Sequence, residues 1–156
     1  MRERVLAVLV TRADDPHLER VLRGIQSQDL APARLTIAVT GGDDAAVRER
    51  VREFGAPGTE GSPSVVAVPS AATFSEAVNA VLDGEEPWIW LLHGDGAPQP
   101  SCLDHQFRLA NSSSKIGAVG AKQVGWEDRR DLLEVGIRAT RSARRIPEIE
   151  PDELDQ

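Results

Sequence analysis

The 156-residue chain holds a single cysteine, Cys102, and no tyrosine, with aromatics at only 4%. One thiol excludes an intrachain disulfide and any cysteine-based zinc cluster, and makes a reducing cytoplasm the expected setting. Basic residues are in the minority, 18 Lys+Arg against 25 Asp+Glu, for a net charge of −7. A nucleic-acid module needs a basic stripe to neutralise phosphates, so no nucleic-acid partner is expected. Long apolar runs are missing as well. The longest, residues 5–10 and 88–92, fall far short of the ~20 residues that a bilayer crossing takes. The opening Met-Arg-Glu-Arg leads into the first of these runs, which ends at Thr11-Arg12-Ala13-Asp14 and is too short for a secretory signal. Neither Gly-x-Gly-x-x-Gly nor a Walker pattern occurs, which removes the two glycine-rich phosphate cradles with a sequence signature. What remains is a chain of single-domain length, 40% hydrophobic, able to bury a real core.

Its organisation is a regular alternation. Residues 5–11 read as a strand buried on both sheet faces. Asp15-Pro16 predicts a cap and a proline-initiated helix, with Leu18, Val21, Leu22 and Ile25 on one face. Residues 35–40 read as a second strand closed by Gly41-Gly42, before a helix from Asp43 or Asp44 that carries Val47, Val51 and Phe54. Residues 55–64, rich in Gly, Pro, Ser and Thr, read as a surface loop. Residues 65–68 make a third strand, and Thr73-Phe-Ser-Glu76 has the capping-box pattern ahead of a helix bearing Phe74, Val78, Val81 and Leu82. Residues 88–92, the most hydrophobic strand candidate, are expected at the centre of the sheet. Ser101 with Asp104 predicts a helix start, with Leu103, Phe107 and Ala110 at helical spacing, and residues 116–119 are expected as a fifth strand. Such alternation implies a three-layer α/β/α domain with a mostly parallel central sheet. The expected α/β domain covers residues 1–125. Residues 126–156 start a further region, and its polar ending, five carboxylates in the last nine residues, predicts that the chain is part of a longer protein.

In open parallel sheets, ligands bind beyond the carboxyl ends of the strands. Those ends carry Thr11, Arg12 and Asp14, then Thr40, Gly41, Gly42 and Asp43, then residues 70–73, then His93-Gly94-Asp95, and finally Lys122-Gln123. His93-Gly94-Asp95 is the sharpest of these. A carboxylate directly after a buried strand is exposed on a rigid element, where it would coordinate a divalent cation that also touches phosphate oxygens. A neutral His93 imidazole would tilt such a site toward Mn2+ over Mg2+. The same three residues also make an ordinary strand-to-loop turn, and spacing leaves both readings open. Gly41-Gly42-Asp43 reads as a turn and helix cap. Lys122 either faces a diphosphate or is solvated, and Trp126 either stacks on a sugar or covers a sheet edge. Cys102 is either a thiol activated at a helix start or a small filler. His17 and His105 have no paired ligand nearby in sequence, and no Ser-His-Asp or Cys-His arrangement stands out.

Four stretches together are similar to a known family. They are Val5-Leu-Ala-Val-Leu-Val-Thr-Arg12 with the helix through Gln28, Thr73-Phe-Ser-Glu-Ala-Val-Asn-Ala80, Trp88-Ile-Trp-Leu-Leu-His-Gly-Asp-Gly-Ala-Pro98, and Ile116-Gly-Ala-Val-Gly-Ala-Lys-Gln-Val124 with Leu133-Glu-Val-Gly136. In this order the chain resembles the N-terminal, donor-binding part of a family-2 glycosyltransferase of the GT-A fold, of an actinobacterial type. The resemblance implies metal-assisted, inverting transfer of a hexosyl group from a nucleotide-diphosphate sugar to a cell-envelope glycan or lipid-linked acceptor. It implies Mn2+ or Mg2+ at Asp95 and His93, and a nucleotide near Thr11, Arg12, Asp14, Thr40, Asp43 and Asn79. It places the catalytic base beyond Gln156, so that this stretch alone would be inactive. It also implies work at the inner membrane face, with the membrane reached only through parts of the parent protein outside this chain. Two family carboxylates are replaced here. Thr40 stands where an Asp commonly meets the nucleoside, and His93-Gly94-Asp95 stands where relatives carry Asp-x-Asp or His-Asp-Asp. Those replacements keep an alternative open: a degenerate GT-A module with a non-catalytic binding or assembly role.

Overall fold

The computed structural model describes residues 4–54, 62–136, 138–142, 144–146 and 154. Most of the expected 55–64 loop and of the acidic 148–156 stretch lies outside the described residues. The chain divides into two compact units, Met1–Asp104 and His105–Gln156.

The first unit alternates strand and helix: β1 (Val5–Arg12), α1 (Leu18–Gln26), β2 (Arg34–Thr40), α2 (Asp44–Phe54), β3 (Ser64–Val68), α3 (Phe74–Asn79) and β4 (Trp88–His93). The helix α4 (Cys102–Ala110) starts in this unit and runs into the next. All four strands are parallel, in the order β3-β2-β1-β4. Arg12 lies beside Thr40, Thr40 beside Val68, and Val10 beside His93, so every carboxyl end falls on one edge of the sheet.

The order dictates the layers. Right-handed crossovers carry β1 to β2 and β2 to β3 in one direction, which puts α1 and α2 on one face; the return from β3 to β4 puts α3 on the other. Packing agrees. Leu6, Val8, Val10 and Ala38 form a cluster with Ala77 and Val78 of α3. Val5, Ala7, Leu9 and Ile37 point the opposite way and are equally buried, as are the α1 residues Leu18, Val21, Leu22 and Ile25 and the α2 residue Val47. Each such leucine or isoleucine stabilises the fold by about 1.5–3 kcal/mol through burial. The three-layer α/β/α architecture with a mostly parallel sheet thus stands as expected.

Three local expectations are corrected. Residues 116–119 form no strand; Gly117 and Gly120 offer no side chain to pack, and the segment is largely exposed. The strand β4 is consequently an edge of the four-stranded sheet and not its centre, with Ile89 and Leu91 44% and 50% exposed. The helix α1 begins at Leu18, later than Asp15-Pro16 predicted, because Asp15 turns back toward β1.

In the second unit, β5 (Gln123–Val124) pairs antiparallel with β6 (Leu132–Glu134), and β7 (Arg138–Ala139) with β8 (Arg145–Ile146). The Asp128 carboxylate chelates the Arg130 guanidinium and accepts its backbone N–H, which lowers its pKa to about 2. No helix among the described residues is long and apolar enough to cross a membrane.

At the amino ends of the strands, Arg34 donates through Nη2 to Asp83 Oδ2 (2.6 Å) and Glu86 Oε2 (2.9 Å), tying β2 to the turn before β4. Glu86 is almost wholly buried. Replacing Arg34 by Met leaves that carboxylate short of donors and should cost about 1–3 kcal/mol at pH 7. The Arg34 hydrogen bond also holds the Asp83 pKa below its ordinary 3.8. A lowered carboxylate stabilises the fold fully above the unfolded pKa and loses that effect as pH falls through the folded one. Urea unfolding should therefore show the wild-type advantage over Arg34→Met shrinking below about pH 4; an advantage that grows on acidification would refute it.

Candidate functional site

Strand order reverses between β1 and β4, since β2 and β3 lie on one side of β1 and β4 on the other. In parallel α/β sheets the crevice outside such a reversal is where ligands bind, because the loops leaving the two strands diverge to opposite faces. The residues beyond the carboxyl ends of β1 and β4 are those the sequence singled out.

The β1–α1 loop is built around one carboxylate. Thr11, 2% exposed, donates its hydroxyl to Asp15 Oδ2 (3.1 Å), while Asp15 Oδ1 accepts the His17 backbone N–H (2.8 Å). Arg50 of α2 donates to the Asp15 backbone carbonyl (3.2 Å). Ahead of it, Arg12 pairs with Asp14, Nε to Oδ1 at 3.0 Å. That hydrogen bond and the attached charge attraction raise the Arg12 pKa and lower that of Asp14, leaving both ionised across the neutral range. Both side chains are solvent-exposed. Thr40 donates to the Thr11 carbonyl (3.3 Å), and Ala13 N–H donates to the Gly41 carbonyl, so the ends of β1 and β2 are stitched together. Asp43 accepts the Ala45 N–H (2.9 Å) and is engaged as the turn leading into α2.

Across the reversal, the Gly94 N–H donates to the Val10 carbonyl (2.9 Å), extending the sheet bonding one residue past β4. His93 Nδ1 lies 2.6 Å from Asp95 Oδ1, with both side chains exposed. The His93 ring also tilts against Phe74, centroids 5.8 Å apart. Phe74 opens α3, whose Thr73–Glu76 capping box is present in full and lowers the Glu76 pKa through the Thr73 N–H. Between His93 and Asp95, Gly94 is buried, and a Cβ there would collide with Asp15 Oδ2 and lie 2.7 Å from Thr11 Oγ1. The Asp15 carboxylate therefore fills the space that a side chain at position 94 would take.

Among the sequence candidates, Thr11, Arg12, Asp14 and Thr40 gather at the ends of β1 and β2, and His93 and Asp95 pair at the end of β4. Asn79 closes α3 with an exposed side chain, five residues beyond Phe74. Cys102 is half-buried and burial raises its pKa, which favours a filler over an activated thiol. The sequence reading gave Asp15 only a capping role and placed Phe74 with Val78 on the apolar face of α3, whereas its ring is 38% exposed and lies against His93. Asp15 followed by Pro was the available signal, but its contact with Gly94 spans nearly 80 residues. A second carboxylate group, Asp83, Glu85 and Glu86, lies at the opposite end of the sheet with ligand atoms within 4.8 Å of one another. It is already matched by Arg34, and Glu86 also by Arg4.

Gly94→Ala should overpack the Asp15 carboxylate and cost about 1–3 kcal/mol. Urea unfolding of Gly94→Ala, Asp15→Gly and the double variant checks this. The double variant should recover much of the loss; strictly additive losses would mean that the two residues do not compete for one space.

No curated protein matches the sequence. A family model described as Glycosyltransferase like family 2 matches residues 3–150, nearly the whole chain. With its parallel sheet, its strand reversal and its exposed carboxylate at the end of β4, the chain belongs to the family-2 glycosyltransferases.

Proposed function

We propose that this chain forms the donor-binding part of an inverting, metal-assisted glycosyltransferase that uses a nucleotide-diphosphate sugar. The reading rests on the His93–Asp95 pair, held exposed at the strand end that flanks the reversal. An imidazole and a carboxylate suit Mn2+ or Mg2+ as ligands, with positions left over for phosphate oxygens. His93 and Asp95 would hold that cation, which when bound offsets the negative charge developing on the leaving diphosphate. Phe74 packs against the His93 ring and limits its orientations.

Arg12, Asp14, Thr40, Asp43 and Asn79 are the proposed nucleotide contacts, whereas Thr11, buried with its hydroxyl on Asp15, supports the loop that presents Arg12 and Asp14. Within this set, the Arg12–Asp14 pair offers a cation and an anion side by side, the cation for phosphate and the anion for a sugar hydroxyl or base edge. Thr40 is spent partly on the Thr11 carbonyl. The proposed acceptor is a cell-envelope glycan or a lipid-linked sugar, whose hydroxyl a base must deprotonate. The proposed setting is the cytoplasm, at the inner membrane face.

A specific observation supports a second reading. Two carboxylates that the family resemblance implies are absent, one at Thr40 and one at His93 or Gly94, and the Asp15 carboxylate occupies the space beside Gly94. A degenerate module that binds without turnover would need neither.

Calorimetric titration with UDP and GDP, with and without Mn2+, separates the readings. The donor-site reading predicts nucleotide binding that depends on Mn2+ and weakens at least about tenfold in Asp95→Ala, the loss expected for a charged ligand removed. Binding indifferent to both Mn2+ and Asp95 would contradict it, and no nucleotide binding at all would favour the degenerate module.

A further inference from the structure

Gln28 is an uncharged polar side chain buried more than nine-tenths, just past the end of α1. Its amide is fully used. Nε2 donates to the Gly24 carbonyl (2.8 Å) and to the Gln99 carbonyl (2.6 Å), while Oε1 accepts the Leu103 N–H (2.9 Å). Gly24 lies in the last turns of α1, whose final carbonyls have no partner within the helix; Leu103 lies in the first turn of α4, whose first N–H groups have none either. One side chain thus caps the end of one helix and the start of another, and Gln offers the donor and acceptor on a single planar group that this requires.

Two further contacts fall on the same seam. Gly24 packs so closely on the segment after β4 that a Cβ would come within 2.8 Å of Pro98 Cδ and of the Pro98 carbonyl. Asp29 N–H donates to the Pro100 carbonyl (2.8 Å). The loop between β4 and α4 is therefore fixed at both ends, at its start by the Gly94 and Gly96 N–H bonds to Val10 and His93, and at its finish by Gln28, Gly24 and Asp29. Asp95 sits within the first anchor, between Gly94 and Gly96, three residues before the seam begins at Pro98.

We propose that Gln28 is a positioning residue for the donor site, clamping the β4–α4 loop so that Asp95 is presented in a fixed orientation beside His93. The proposal rests on the reading of Asp95 as a cation ligand and adds a residue remote from that cation which governs it. Gln28→Met keeps the length and loses all three hydrogen bonds. Gln28→Glu keeps the acceptor for Leu103 but turns a carboxylate toward two carbonyl oxygens.

The test uses the 15N-labelled full chain, amide hydrogen exchange, and Mn2+ alone as a paramagnetic probe. In Gln28→Met, exchange at Asp29, Gly96 and Leu103 should rise at least about tenfold while Ile37 and Val39 of β2 stay within about twofold, the signature of local opening. Gln28→Glu, with a buried carboxylate against two carbonyl oxygens, should open the loop at least as much as Gln28→Met. The Mn2+ concentration that broadens the Gly94 and Gly96 resonances should rise at least about fivefold in Gln28→Met, with no further change when Gln28→Met is added to Asp95→Ala, as coupled residues require. Equal acceleration at β2 and loop amides, or unchanged loop exchange, would overturn the clamp. Wild-type resonances at 93–96 that Mn2+ leaves untouched would instead overturn the cation reading of Asp95, and the exchange measurements would still decide the clamp.

Discussion

The arrangement depends on β1 being apolar on both faces and hydrogen-bonded along both edges. Residues 5–10 are all but inaccessible to solvent, so the strand must sit inside the sheet with helices above and below. Once it is there, β2 and β3 extend one side and the chain must cross back to add β4 on the other. The reversal in strand order is thus a consequence of one strand's hydrophobicity. Thr11, the first polar residue of β1, is still buried, and its hydroxyl is satisfied by Asp15. That hydrogen bond begins the functional edge.

Carboxylates are distributed around this edge in a way that physical chemistry explains. Asp14 and Asp43 each hold a local partner, Arg12 and the Ala45 N–H, and stay exposed. Asp15 is wedged over Gly94 and works on the protein itself. Asp95 is bonded only to the exposed imidazole of His93 among the contacts described, which leaves one carboxylate oxygen directed to solvent chemistry. In this chain the β1–α1 loop takes up the space that a side chain at position 94 would need.

Much of the fold was legible because it is written in local periodicity. The run 5–10, the helical stripe Leu18, Val21, Leu22 and Ile25, and the Thr73–Glu76 box all lie within one element and formed as read. The reading failed where spatial neighbours decide. Hydrophobicity placed residues 88–92 at the sheet centre, yet centrality needs a strand on each side, and the glycine-broken 116–119 stretch supplies none. The site divides the same way. His93 and Asp95 are two residues apart and were visible as a pair. Asp15 against Gly94, and Gln28 against Gln99 and Leu103, join distant parts of the chain and leave no spacing signal.

The central claim is that a nucleoside diphosphate binds at the carboxyl ends of β1 and β4. Mapping amide shifts of the 15N-labelled chain on addition of UDP with Mg2+ tests it most directly. The account predicts perturbations gathered at residues 11–15, 40–43, 79 and 93–96, with Asp83, Glu85 and Glu86 unmoved. Shifts centred on that second carboxylate group at the opposite end of the sheet would contradict it.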